Sequence, residues 1–440
     1  MINLRLIAAV IIAIASAAFL EADVLTFKND NVINKWNFHD QATWTYQENP
    51  NFLSAYQGLN SFNSKADQEY TLSISAFLDL EVFKDLELIY NPELFQGYGL
   101  SHSLGIAGFP NGEAVKSGFA NLHYNTSRLF MRHTIGLGGD KEKVEDDINQ
   151  LPGERDVNRI VLSGGLFSAS DFFDDNTYSH DTRSQFMNWS LWESGAWDYP
   201  ANIVGFTAGV VVEWYISNAT LRYGVFMDSA ESNGAHLDTH LGKAHAQVIQ
   251  YDRHYFIDKL SGTIRVMAFL NDANMGLYST ADKQIYPSNI ILTRSYRSKT
   301  GAAISLDQQL SDSVGFFNRI SWNDGKEEDW AFTEIDQSIA AGLSDTGKFW
   351  NRPADVVGIA GVKNMISDAH QKYLNNGGLG LILGDGKLNY GSEDIIETYY
   401  NCKLTGYLSV SLDYQYIKNP GYNVSRGPVP VYSLRIHTQF

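Results

Sequence analysis

The sequence predicts an all-β protein: a transmembrane antiparallel β-barrel of about 16 strands, with one long loop folded inward to narrow it. Three observations predict this. Apolar and polar residues alternate along nearly the whole chain, the period of a strand with one greasy and one wet face. The wet parity carries charge in mid-strand, at Asp79, Arg222, Asp413 and Arg435. The greasy parity often finishes in Tyr or Trp, as at Trp44 with Tyr46, Trp214, and Tyr414 with Tyr416, where an interfacial aromatic girdle sits in such barrels.

In chain order, "MINLRLIAAVIIAIASAAF" has one cation, Arg5, an apolar run from Leu6 to Ala15, and small residues ending at Ala17 or Ala18. That is the pattern of a secretory leader over residues 1–18, its end falling between 17 and 22. The apolar run is short of the roughly 20 residues of a spanning helix. Residues 19–440 then read as a single barrel domain.

Strands are predicted near 36–46, 71–82 ("TLSISAFLDLEV"), 86–91, 127–135, 159–167, 206–214 and 219–227 ("ATLRYGVFM"). Further strands follow near 263–270, 300–308, 314–320, 332–343, 395–404, 407–416 ("YLSVSLDYQY") and 431–440 ("VYSLRIHTQF"), with weaker ones near 245–251, 356–362 and 379–385. Closure is required because lipid offers no partners to an open backbone edge. The segment "VKNMISDAHQKYL" places Met365, Ala369 and Tyr373 at helical spacing, which reads as a helix over a barrel mouth or as an irregular loop. Connections are unequal, and residues 168–205, dense in Asp, Trp and Tyr, form the one long enough to fold into the bore. In the last strand Tyr432, Leu434, Ile436 and Phe440 face lipid and Arg435 and His437 face the bore, so this strand is expected to close against the first. Its terminal aromatic also resembles the signal read by the machinery that assembles outer-membrane barrels.

Composition agrees with a chain of many strands and turns: 37 Gly, 24 Tyr, 24 Phe and 9 Trp. A formal charge of −17, with Lys and Arg outnumbered 33 to 50, excludes a nucleic-acid partner. Cys402 is the single thiol, so no disulfide forms within the chain. No enzyme motif is present. "GGLGLILGDG" lacks the strand-and-helix context of nucleotide binding, no G-x-S-x-G elbow occurs, and the histidines lack metal-ligand spacing. Asp171, Asp174, Asp175 and Asp181 lack calcium-loop spacing and read as a solvated acidic loop. No catalytic residue, metal or cofactor is predicted.

The parity argument assigns Arg128, Arg132, Arg222, Arg265, Arg319, Asp79, Glu87, Glu93, Glu213, Glu334, Asp336 and Glu397 to the bore. Mixed charges on a confined wall suit neutral, hydroxyl-rich solutes better than a single-sign ring. Phe77, Phe130, Phe172, Trp189 and Trp192 are candidates to stack on sugar faces.

Five stretches together, "FFDDNTYSHDTRSQFMNW" (Phe172 to Trp189), "ESNG" (Glu231 to Gly234), "WNRPADVVGIAG" (Trp350 to Gly361), "LGDGKLNYGSEDIIETYY" (Leu383 to Tyr400) and the segment from Asp413 to Phe440, resemble the carbohydrate-selective porin family of the OprB type. The resemblance implies an outer-membrane porin barrel that passively admits sugars through a constriction of charged and aromatic residues. It carries over to Asp174, Asn176, Asp181, Arg183 and Asn188 in the acidic loop and to Arg128 and Arg132 on the first arginine strand. Implied partners are sugars as solutes, outer-membrane lipid and lipopolysaccharide, and the barrel-assembly machinery, with monomer and homotrimer both open. Three other readings stay open on sequence: a general small-solute porin, an outer-membrane barrel enzyme, and a secreted β-sandwich or lectin.

Overall fold

The computed structural model describes residues 35–114 and 118–440; the leader expected over 1–18 lies outside them. Eighteen strands are present among the described residues. They are β1 (Trp36–Asn49), β2 (Asp67–Phe83), β3 (Leu86–Gly97), β4 (Phe119–Gly136), β5 (Lys141–Val144), β6 (Gly153–Asp156), β7 (Arg159–Phe167), β8 (Thr207–Ile216) and β9 (Ala219–Phe226). The second half comprises β10 (His245–Ile257), β11 (Leu260–Ala273), β12 (Arg297–Gln309), β13 (Val314–Asn323), β14 (Gln337–Gly347), β15 (Arg352–Met365), β16 (Glu393–Lys403), β17 (Leu408–Lys418) and β18 (Val429–Gln439). Sixteen of them close into one antiparallel barrel, and β5 and β6 form a separate two-stranded sheet.

Closure happens at the predicted seam. β18 pairs with β1, Ile436 opposite Trp44 and Leu434 opposite Tyr46. Phe440 donates its backbone N–H to Asp40 O at 2.9 Å and stacks on Tyr407 with ring centroids 5.0 Å apart. The outward parity is exposed and apolar, as with Ile304, Ile320, Trp322 and Ile339 on neighbouring strands, while inward Ser305, Arg319, Ser321 and Ser338 are buried. A one-residue slip would exchange these faces, so burial of a charged wall away from lipid fixes the register.

Tight turns join β2–β3, β8–β9 and β10–β11, where Asp85, Ser217 and Asp258 adopt left-handed φ of 62°, 52° and 57°. Connections at the other end are long. One exception is residues 137–158 at the short-turn end, where the β5–β6 hairpin turns back on the barrel. Asn37 Nδ2 reaches Asp146 Oδ1 at 2.7 Å and Arg132 Nη2 reaches Asn149 O at 2.7 Å.

Three predicted elements differ. No strand forms at 379–385: the N–H groups of Ile382 and Leu383 both donate to Glu334 Oε2 at 2.6 Å instead of to a ladder. The strand expected from 332 starts at Gln337, so Glu334 and Asp336 are buried in a connection and not on the wall. The helix expected over 362–374 is half strand: β15 runs on to Met365, and Ser367 Oγ accepts the N–H of His370 at 3.1 Å to start a helix only at Asp368–Asn375.

Candidate functional site

β7 ends at Phe167 and the chain then enters the barrel, to return at Thr207 on β8. The inward loop is fastened to the far wall by side chains that its backbone alone could not provide. Arg319 on β13 donates Nε to Asp174 Oδ1 at 3.2 Å, Nη2 to Asp174 O at 3.0 Å and Nη1 to Leu191 O at 2.9 Å. Glu397 on β16 accepts the N–H of Met187 at 2.5 Å and of Asn188 at 2.9 Å. Asn188 Nδ2 donates to Gly108 O at 2.8 Å and Gln415 Oε1 at 2.9 Å, and Arg435 Nη1 donates to Thr182 O at 2.5 Å. Asn176 Nδ2 donates to Ser305 Oγ at 3.2 Å. A loop inside a barrel must satisfy its polar backbone there, and these strands supply the partners.

Between this loop and the β3–β4 wall lies a cavity of about 280 Å³. The wall contributes Glu93 and Phe95 from β3 and Arg128 from β4, the β3–β4 connection Glu113, and the inward loop Asp171, Asp181, Arg183, Trp189, Trp192, Tyr199 and Phe206. Phe332 arrives from the β13–β14 connection. Its rings are continuous: Trp189 stacks with Phe332 (4.9 Å), Phe332 with Tyr199 (4.7 Å), and Trp192 sits 4.9 Å from Trp189, while Phe109, behind the lining, backs Trp189 at 5.1 Å.

The charged side is equally ordered. Arg128 grips Asp171 bidentately, Nε–Oδ2 2.7 Å and Nη2–Oδ1 2.5 Å. Arg183 Nε donates to Glu113 Oε2 at 3.1 Å, and its Nη2 lies 3.5 Å from Glu93 Oε1. Burial alone would raise the Asp181 carboxyl. The charges of His437 and Arg183 and the hydrogen bond from Ser184 outweigh it and hold the group below the ordinary 3.8.

Of the predicted site residues, the structure brings Glu93, Arg128, Asp171, Asp181, Arg183 and Trp189 together at the cavity. Asp174, Asn176, Asn188 and Arg319 are instead buried staples of the loop, none more than 2% exposed. The acidic loop is therefore not uniformly solvated: Asp175 keeps an open side chain, but Asp174 does not. Arg132 lies with Glu87 (2.5 Å), Asp79 (3.3 Å) and the β5–β6 hairpin rather than in the cavity. Phe130 and Phe172 pack edge-on with Phe167 (5.6 and 4.9 Å), and with Phe77 they are buried away from the cavity lining. Glu113, Tyr199, Phe206 and Phe332 were missed. Tyr199 lies in the aromatic loop already singled out and Phe206 at the start of the strand expected over 206–214, whereas nothing local marks Glu113 or Phe332.

A closed sixteen-stranded antiparallel barrel with a polar, charged inner wall and an inward loop defines a porin-type channel of the bacterial outer membrane. More narrowly, the chain belongs to the family described as carbohydrate-selective porin, OprB family, whose model matches residues 64–440. Among solved structures it is similar to Pseudomonas putida OprB in its high-pH form (16% identity, TM-score 0.68, covering 92% of this chain and 94% of that one). It also resembles the low-pH form of that protein (12% identity, TM-score 0.51, 92% of each chain). The outer-membrane channel DcaP of Acinetobacter baumannii matches at 9% identity and TM-score 0.51, over 92% of this chain and 97% of that one. No curated protein matches the chain.

Proposed function

We propose that the barrel admits small neutral carbohydrates by passive diffusion through the cavity beside the inward loop. The observation that carries this reading is the pairing, in one cavity, of a continuous aromatic stack with a fixed network of carboxylates and guanidiniums. A sugar ring has an apolar C–H face and a polar rim of hydroxyls. The stack meets the face, and the network exchanges hydrogen bonds with the rim, each contact weak enough to allow exit. No covalent step is involved. The exposed apolar band lies against outer-membrane lipid.

Purified protein in planar bilayers is expected to conduct ions and to show graded block of that current by mono- and oligosaccharides; absence of any sugar effect would reduce the reading to a general porin. Four carboxylates (Glu93, Glu113, Asp171, Asp181) face two guanidiniums (Arg128, Arg183) at the cavity, so reversal potentials are expected to favour cations. Asp181, held below 3.8, stays ionised above that pH, and its stabilising pairing is lost only as pH falls through the lowered value. The Asp181 contribution to cation preference is therefore expected to persist as pH falls to about 4; an Asp181→Asn variant with wild-type selectivity across that range would contradict the assignment.

The seam suggests a second role for the last strand. Phe440→Ala removes the ring on Tyr407 at the β1–β18 closure, and we expect less folded barrel in the outer membrane with unitary conductance unchanged. Normal membrane levels of this variant would count against the role in assembly.

A further inference from the structure

At the long-loop end of the barrel, the β13–β14 connection meets the helix Asp368–Asn375. Asp329, Asp336 and His370 converge there, all buried, with one donor atom from each lying within 4.8 Å of the other two. His370 is 0% exposed, and its Nε2 lies 3.9 Å from Glu334 Oε1. Its Nδ1 points at the carboxylates, 3.4 Å from Asp336 Oδ2 and 3.8 Å from Asp329 Oδ2.

Each carboxylate is fixed by one bond and keeps acceptor capacity beside His370. Asp336 Oδ2 accepts the N–H of Ser367 at 2.7 Å, leaving Oδ1 without a partner. Asp329 pairs through Oδ1 with Lys299, leaving Oδ2 without one. The imidazole is held in orientation by Tyr278, stacked on it at 4.2 Å with 13° between the planes, and by the Ser367 cap on the first turn of the helix. Nearby, Asp198 accepts the N–H groups of Trp330 (2.7 Å) and Ala331 (2.8 Å) and lies 3.3 Å from Lys299 Nζ. Asp198 and Asp329 thus share the Lys299 ammonium, while Asp336 faces His370, and burial of carboxylates short of compensating cations is costly.

We propose that Asp329, Asp336 and His370 form a binding site for a divalent transition-metal ion of the Zn²⁺ type, pinning the β13–β14 connection to the helix Asp368–Asn375. Two ligands of a tetrahedral ion at about 2.1 Å sit roughly 3.4 Å apart, close to the spacing of the His370 and carboxylate atoms. One imidazole with two carboxylates suits such an ion, whereas Ca²⁺ takes six or more oxygens. The site is independent of the sugar reading, since none of its residues lines the cavity.

Because the donors are buried, the ion enters as the loops assemble. The test is to unfold the tag-free barrel in chelator and refold it with Zn²⁺, Co²⁺ or Mg²⁺. After desalting, one equivalent of Zn²⁺ per chain is expected, and Co²⁺ is expected to give the visible absorption of a low-coordinate site. His370→Gln and Asp336→Asn should lower retained Zn²⁺ at least about tenfold while the barrel keeps its heat-modifiable gel mobility. Refolded wild-type protein that retains no Zn²⁺ beyond the Mg²⁺ control, or that gives no Co²⁺ absorption, overturns the proposal whether or not the variants fold. So does equal retention by folded variants. A metal-free wild type in which His370 is the protonated partner of the carboxylates is the same negative result.

Discussion

Arg319→Met is expected to raise ion conductance severalfold and to weaken sugar block, because it removes the loop's central fastening. Arg319 is 1% exposed and makes all its bonds to the loop, two to Asp174 and one to Leu191 O. Methionine fills part of the volume but leaves the Asp174 carboxylate buried with only Ser194 as donor. Breaking one side of a buried pair costs about 3–5 kcal/mol. The strand ladder is untouched, so the barrel still closes and the cost falls on the loop's hold. Anchors at Glu397 and Asn188 keep the loop tethered, which makes the expected result a wider, noisier channel rather than an empty barrel. Adding Asp174→Asn removes the stranded charge, and the double variant should lose less stability than Arg319→Met alone. Single-channel recordings beside thermal unfolding check this. Wild-type conductance in a destabilised Arg319→Met protein would show that the loop does not limit the passage.

How far the sequence reached follows from what alternation encodes. Sixteen closed strands were legible because lipid on one side and a wet bore on the other impose a period of two on every wall segment. The same rule misread 379–385, where Leu379, Leu381 and Leu383 alternate but the backbone donors turn to a buried glutamate. Alternation reports a face, not a hydrogen-bond partner. It likewise placed Arg128, Arg132 and Arg319 in the bore correctly but said nothing of their height in it. Height decides their work: Arg128 lines the cavity, Arg132 holds the hairpin at the short-turn end, and Arg319 is sealed beneath the loop. Asp171 and Asp174 differ in the same way within one loop, since one grips a cavity arginine and the other a staple. Phe332, more than a hundred positions from Trp189 in the chain, joins its stack only through the fold.

Trp192→Ala is expected to weaken sugar block about tenfold, equivalent to roughly 1.4 kcal/mol, with conductance in salt nearly unchanged. Trp189 is the poorer probe: it is 3% exposed and packed between Phe109 and Phe332, so truncating it costs about 3–5 kcal/mol of stability and blurs any effect on solutes. Trp192 is only partly buried, lines the same cavity, and spends its polar end on His180 O at 2.5 Å. Its ring face is therefore what the solute would meet. Trp192→Phe separates the two contributions, because it keeps an aromatic face and loses the hydrogen bond to the loop. If stacking governs affinity, Phe restores most of the block; if loop position governs it, Phe and Ala behave alike. Arg128→Gln completes the contrast from the polar side, since it breaks the bidentate grip on Asp171 and frees a carboxylate at the cavity. That variant should strengthen cation preference as it weakens sugar block, whereas Trp192→Ala should move the block alone. Full sugar block in Trp192→Ala would remove the aromatic stack from the transport path and leave the charged network as the sole point of recognition.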